Sequence, residues 1–207
     1  MIDEARLRTL LVPFRLDLSP HQALQTLTYL QLLLRWNEKI NLTAIRDADL
    51  CVTRLFGESL FLINKVNLDG TLLDIGSGAG FPGLALKIVF PELLVTLLEP
   101  VAKKRAFLKE ATRVCNFSHV TVCSDRLEYL AATAPSSFDS ATMRAVGNLD
   151  VLVPLAAKCL SPAGRLLLWL TQEQAAALPA LKGGFDWMDP LTIPLSRFGQ
   201  VWQGVKR

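Results

Sequence analysis

The sequence predicts an α/β protein: a doubly wound, mostly parallel sheet with an N-terminal helical extension. Three observations predict it. Apolar residues recur at helical spacing through the first third of the chain. After Gly70, short apolar runs alternate with helical segments, the pattern of a parallel sheet covered on both faces. The first of those runs ends in a glycine-rich turn, "DIGSGAGFPG", Asp74 to Gly83. In open α/β sheets a ligand sits beyond the carboxyl ends of the strands, where the strand order reverses, and this turn lies there.

The extension is read as residues 1–66. Ser19 is expected to cap, and Pro20 to start, a helix through "SPHQALQTLTYLQLLLRWNEKI". Leu24, Leu27, Leu30, Leu34 and Ile40 form its apolar stripe. "DADLCVTRLFGESLFLINKV" reads as a further helix, capped near Asp47 or Asp49. Residues 67–207 form the core, packed with the extension into one structural domain. Its strands are read in "TLLDIG", "LLVTLLE", "HVTVCS", "FDSATMR" and "RLLLWL". Its helices are read in "LALKIVF", "VAKKRAFLKEATRV", "RLEYLAA" and "LDVLVPLAAKCL", the last followed by a turn at "SPAG". The tail reads as a helix, "QEQAAALPAL", and two strands, "FDWMDPLTIPL" and "FGQVWQGVK", whose hairpin makes the sheet mixed.

Composition narrows the class. Of 207 residues, 51% are hydrophobic and the mean hydropathy is +0.32, which supplies a core and excludes disorder. No stretch approaches the ~18 uninterrupted apolar residues of a spanning helix. Asp3 and Glu4 precede the first apolar run, which does not suit a secretory signal. A cytoplasmic protein, monomeric and without a membrane partner, is expected. Cys51, Cys115, Cys123 and Cys159 form no C-x-x-C pair and read as small buried apolar residues. His21 and His119 lack companion ligands, so no metal is expected. A net charge of +3 does not by itself identify a nucleic-acid partner.

"GAGFPG" is a literal G-x-G-x-x-G, which fits a dinucleotide pyrophosphate, a plain tight turn, or another nucleoside cofactor. The charges discriminate. A pyrophosphate favours helix amides with no carboxylate beside them. Asp74 stands directly before this turn, and Gly76, Gly78 and Gly80 alternate after it. A nearby carboxylate suits S-adenosylmethionine, which carries a sulfonium and an ammonium group and no phosphate. Glu99 ends the second strand, where a ribose-binding acid is expected; NAD enzymes share that acid. The residues therefore favour S-adenosylmethionine and leave an NAD-dependent oxidoreductase as the alternative.

The chain resembles the RsmG (GidB) methyltransferases along nearly its whole length. The likeness lies in "WNEKINLTAIRD" (Trp36 to Asp47), "DIGSGAGFPGLALKIVFPE" (Asp74 to Glu92), "VTLLEPVAKKRAFL" (Val95 to Leu108), "SDRLE" (Ser124 to Glu128) and "RAVGNL" (Arg144 to Leu149). The resemblance implies a Rossmann-like class I SAM-dependent methyltransferase fold. It also implies methyl transfer to N7 of one guanine in the 530 loop of bacterial 16S rRNA. It places cofactor contacts on Gly76 and Phe81, on Leu127 and Glu128, and on Arg144, beside Asp74, Gly78 and Glu99 from the turn and second strand. Two departures stand out. The family commonly shows Arg-His then Asp-Ser-Leu where this chain reads "TRLFGESL", with Leu55 for the His and Glu58 for the Asp. The family also tends to carry Lys-Gly after the fifth strand, where this chain reads "LLLWLTQEQ".

Guanine N7 has a lone pair and no proton to lose, so in-line transfer needs orientation rather than a general base. The sequence offers no persuasive base or nucleophile, and Arg144 is expected to act by positioning. Arg46, Arg54, Lys103, Lys104 and Arg105 are the candidate phosphate contacts, with Lys109 and Lys206–Arg207 behind them. Phe81 or Trp36 could stack on a flipped guanine. A methyltransferase of a small molecule and a catalytically silent RNA-binding module are further alternatives.

Overall fold

The computed structural model describes residues 2–176, 178, 184–196 and 199–207. Asp3 caps helix α1 (Glu4–Leu11), its carboxylate accepting from the Arg6 N–H. Ser19 caps α2 (Pro20–Ile40) in a reciprocal capping box with Gln22. The buried residues of α2 include Ala23, Thr26, Tyr29, Leu30, Leu33 and Asn37. That face is rotated from the expected leucine stripe: Leu24 is 63% exposed, and Leu27, Leu34 and Ile40 are only partly buried. An aromatic and two polar side chains turn inward, which a count of leucines does not register. Asn37 explains the "WNEKINLT" block. Its amide nitrogen donates to the Ile45 carbonyl at 3.2 Å and its amide oxygen accepts from the Thr43 N–H at 2.9 Å, folding the loop back onto α2.

Helix α3 covers residues 48–60 and is capped by Asp47 through the Leu50 N–H. Its middle, Val52–Gly57, widens into a π-helix between α-helical ends Ala48–Cys51 and Glu58–Leu60. Such bulges are frequent at functional positions.

The core follows the expected alternation: β1 (Thr71–Ile75), α4 (Gly83–Val89), β2 (Leu94–Leu98), α5 (Ala102–Val114), β3 (Val120–Cys123), α6 (Leu127–Thr133), β4 (Phe138–Arg144), α7 (Leu149–Cys159) and β5 (Leu160–Thr171). A short helix α8 (Gln172–Ala176) and strands β6 (Phe185–Trp187), β7 (Leu191–Thr192) and β8 (Gly199–Lys206) complete it. The rest of the predicted tail helix lies largely outside the described residues. The sheet order is β3-β2-β1-β4-β5-β8-β6, with β7 also on β8. The first five strands are parallel, and β8 runs antiparallel to β5, β6 and β7. The order reverses between β1 and β4. "SPAG" is a bulge within β5 rather than a turn before it: Leu160 pairs with Phe138 and Arg165 with Ser140, leaving residues 161–164 between them.

Alternation along β5 separates the two faces. Leu167 and Trp169 join the cluster that holds Leu7, Phe14, Tyr29, Leu33, Phe56 and Leu60 of the extension together with Leu84 and Phe107. Leu166, Leu168 and Leu170 join Val153 and Ala156 of α7 on the other face. Each fully buried large side chain contributes about 1.5–3 kcal/mol, so the extension is part of the core rather than an appendage.

Candidate active site

The turn after β1 hangs from the end of β2. The Gly76 and Ser77 N–H groups both donate to the Leu98 carbonyl, at 2.9 and 3.1 Å. The Ser77 hydroxyl donates to the Asp74 carbonyl at 2.9 Å. Gly76 and Gly80 take φ values of 72° and 83°, which a side chain resists. A β-carbon on Gly76 would also stand 3.1 Å from Val146 in the loop after β4. Pro82 is the N-cap of α4, one position before its first turn.

Two carboxylates flank this turn, and they differ. Glu99, 3% exposed, accepts from the Gly78 N–H at 2.9 Å and from the Val101 N–H at 2.8 Å. Asp74, 1% exposed, lies under the turn between β4 and α4. Its Oδ1 accepts from the Thr142 hydroxyl at 2.8 Å, while Oδ2 lies against the Gly83 backbone at the start of α4. Burial pushes the Asp74 carboxyl up to about 6. Asp74 is therefore buried beneath the turn rather than presented on its surface.

At the end of β3, the Glu99 N–H donates to the Cys123 carbonyl at 3.1 Å, bringing that strand alongside. Cys51, Cys115 and Cys159 are buried as expected; Cys123 is not, and its thiol donates to Asp125 at 3.0 Å. Leu127 is buried at the start of α6, and Glu128 beside it is exposed.

Arg144, the last residue of β4, turns its guanidinium onto α3. Nη2 donates to the Arg54 carbonyl at 2.5 Å and to Glu58 Oε2 at 2.8 Å; Nη1 donates to the Ser59 hydroxyl at 2.9 Å and the Leu55 carbonyl at 3.4 Å. Arg54 pairs with the other Glu58 oxygen at 2.8 Å, and the Trp169 indole donates to the Glu58 carbonyl at 2.6 Å. Burial raises the Glu58 carboxyl despite both arginines, and burial lowers Arg144 despite Glu58. Beside this network opens a cavity of about 440 Å³, bordered by Arg54, Glu58, Arg144, Ala145, Trp169 and Thr171 among others. That size suits a small-molecule or base-sized group, for which pockets run to roughly 300–1,000 Å³. Thr171 and Gln174 cap α8 reciprocally where a Lys-Gly was expected, and the Gln174 amide reaches the Val146 carbonyl at 3.3 Å.

A family model described as "rRNA small subunit methyltransferase G" matches residues 22–183. The chain belongs to this family, GidB. The "Ribosomal RNA small subunit methyltransferase G" of Chloroflexus aggregans is 39% identical over 189 residues, covering 86% of this chain and 79% of its own length. The protein of that name from Xanthomonas campestris pv. campestris strain B100 is 40% identical over 171 residues, covering 81% and 79%. Among solved structures, a SAM dependent methyltransferase from Aquifex aeolicus shares the fold with a TM-score of 0.63 at 13% identity, over 76% of this chain and 93% of that one. The fold is that of the class I SAM methyltransferases.

In this GidB chain the remaining candidate residues fall into two groups. The first is turned inward. The Phe81 ring is 7% exposed, parallel to Tyr29 at 5.3 Å and edge-on to Phe56 at 4.9 Å. Trp36 packs edge-on against Phe107 at 5.7 Å. The Phe81 ring is thus largely enclosed, while Trp36 is half-buried with part of its ring exposed. Arg105 donates to the Glu99 and Pro100 carbonyls at 3.1 and 2.6 Å and so braces the end of β2. The second group faces outward. Arg46 is exposed and donates to Asn41 at 3.1 Å. Lys103 is exposed and Lys104 half-buried on α5, with no ion pair among the described residues. Arg54 spans both groups, half-exposed and paired with Glu58. Tyr29 and Glu58 were not singled out from sequence as site residues. Glu58 stands four positions after Arg54, but only the fold brings Arg144 to it.

Proposed function

We propose that this chain transfers the methyl group of S-adenosylmethionine to N7 of a guanine in the 530 loop of 16S rRNA, acting in the cytoplasm as a monomer without a metal. The observation that carries the reading is the turn after β1. Left-handed glycines there lie between a buried Asp74 and the Glu99 carboxylate, in a chain of the GidB family. These residues fit the cofactor. Gly76 and Gly78 allow close backbone approach, Glu99 can accept from ribose hydroxyls, and Asp74 places negative charge beneath a cationic group. A pyrophosphate would meet that same negative charge, which disfavours the dinucleotide reading.

When bound, S-adenosylmethionine supplies a methyl group on a sulfonium sulfur. That methyl group would pass to the guanine N7 lone pair, leaving a neutral thioether and a cationic purine. No proton moves, so no residue need act as a base; the protein's part is to hold the base in line and exclude water. The cavity beside Arg144 is the natural acceptor entrance, with Arg144 fixing its wall. Lys103, Lys104, Arg46 and the exposed side of Arg54 supply phosphate contacts. The decisive experiment maps 7-methylguanosine in 16S rRNA from cells with and without this protein, beside tritium transfer to small subunits from the deficient cells. A chain stabilised by S-adenosylhomocysteine that methylates no 16S nucleotide would have a different acceptor.

A further inference from the structure

We propose that Tyr29, in the N-terminal extension, is a positioning residue for the methyl-donor turn. The inference rests on the S-adenosylmethionine reading above, and it assigns part of that site to a helix outside the nucleotide-binding core. Tyr29 is fully buried in the middle of α2, and its hydroxyl donates to the Ala79 carbonyl at 2.5 Å. Its ring lies parallel to Phe81, 3° from coplanar at 5.3 Å. Phe56 of α3 closes edge-on against both rings, at 5.3 and 4.9 Å. Between the two contacts sits Gly80, at a φ of 83°, where a β-carbon would collide with the Tyr29 hydroxyl. One side chain thus holds residues 79 and 81 on either side of a left-handed glycine.

The other half of the turn is held by the sheet. Gly76 and Ser77 donate to Leu98, and Gly78 donates to Glu99. The backbone offered to the donor is therefore suspended between two anchors, β2 on one side and the extension on the other. Burial also holds the Tyr29 phenol well above its ordinary range, so it is a hydrogen-bond donor at neutral pH. Loss of the hydroxyl leaves the buried Ala79 carbonyl without its donor and frees the second half of the turn to move. The donor pays for that movement when it binds, because the turn must then be ordered again.

The test is Tyr29→Phe, which keeps the ring and its stacking and removes only the hydroxyl. The Kd for S-adenosylhomocysteine by calorimetry and the KM for S-adenosylmethionine should each rise about tenfold, the effect of one buried hydrogen bond. The kcat on small subunits at saturating donor should stay within about twofold of wild type. An unchanged Kd and KM, with or without a lower Tm, would make Tyr29 merely structural and overturn the proposal, as would a fall in kcat at unchanged Kd. Should Tyr29→Phe fail to fold, Phe56→Leu loosens the ring that closes against Tyr29 and Phe81 and leaves the turn's own residues untouched. An unchanged Kd there overturns the proposal equally. Wild-type protein that binds S-adenosylhomocysteine but methylates no rRNA removes the rRNA reading and leaves the Kd comparison standing.

Discussion

Arg144→Met tests whether the link between α3 and β4 holds the fold together or serves the site. The guanidinium, with 15% of its side chain exposed, makes four hydrogen bonds to α3, one of them to a Glu58 side chain that is 8% exposed. Without it, Glu58 keeps only Arg54, whose own side chain is 49% exposed. Breaking a buried ion pair from one side costs about 3–5 kcal/mol, because the remaining charge stays buried. Arg144→Met should therefore lower the urea-unfolding free energy by about that amount at constant m-value. The shifts of both partners run toward the neutral form, burial outweighing attraction at Glu58 and at Arg144 alike. Adding Glu58→Leu to Arg144→Met removes the stranded charge and should recover part of that loss, but not all of it, because the Arg54 and Leu55 carbonyls and the Ser59 hydroxyl still lack their donor. Methyl transfer should remain at least about a hundredfold down in both variants, since a misplaced wall costs about that much. A double variant less stable than Arg144→Met alone would refute the energetic argument; one that methylates normally would refute the functional one.

Other outcomes follow from the same geometry. The Asp74 carboxyl, raised to about 6 from an ordinary 3.8, holds a proton in the folded state that the unfolded chain releases. Stability should therefore fall as pH rises from about 4 to about 6 and level off above, by up to about 3 kcal/mol. Asp74→Asn lacks this term, so the difference in unfolding free energy between the two proteins should grow through that window; a flat difference refutes the shift. Glu99→Gln should weaken S-adenosylhomocysteine binding about 10- to 100-fold by calorimetry, the loss expected for hydrogen bonds to a charged acceptor. An unchanged Kd would remove Glu99 from the ribose. Replacing Lys103 and Lys104 by Ala should each reduce the slope of log binding constant against log salt by about 1 on small subunits. A slope equal to wild type would show that α5 does not touch phosphate.

The glycine turn and the alternation of strands with helices were legible because both are local. Alternating glycines report backbone that must turn left-handed, and apolar runs of strand length report a sheet. The α2 face was illegible because Tyr29 and Asn37 turn inward for hydrogen bonds with residues far along or beyond the helix, Ala79, Thr43 and Ile45, while Thr26 bonds back to the Gln22 carbonyl. The packing of the Phe81 ring was illegible for a related reason. Its position in the turn suggested a ligand contact, but the ring is captured by Tyr29 and Phe56, separated from it by about fifty and about twenty-five positions in sequence. "SPAG" has the composition of a turn, and only the pairing of Leu160 with Phe138 reveals that the strand has already begun.

The departure at Glu58 acquires a physical meaning once α3 is seen to be widened. The π-helical stretch ends at Gly57, and within it Arg54 and Leu55 direct their carbonyls to Arg144. At the Leu55 position the contribution to this contact is the backbone oxygen, which any side chain can supply; at Glu58 and Ser59 it is the side chains themselves. Loss of the expected His is therefore compatible with the Arg144 anchor, whereas loss of the acid would not be. The Glu58–Arg144 pair fixes one element against another. Here the elements are α3 and the carboxyl end of β4, where Ala145 and Val146 lead the chain back against Gly76. Together with the hold of Tyr29 on Ala79, this makes the extension the second support of the site. A variant that loosens the extension should therefore lose donor affinity and acceptor alignment before it loses the fold.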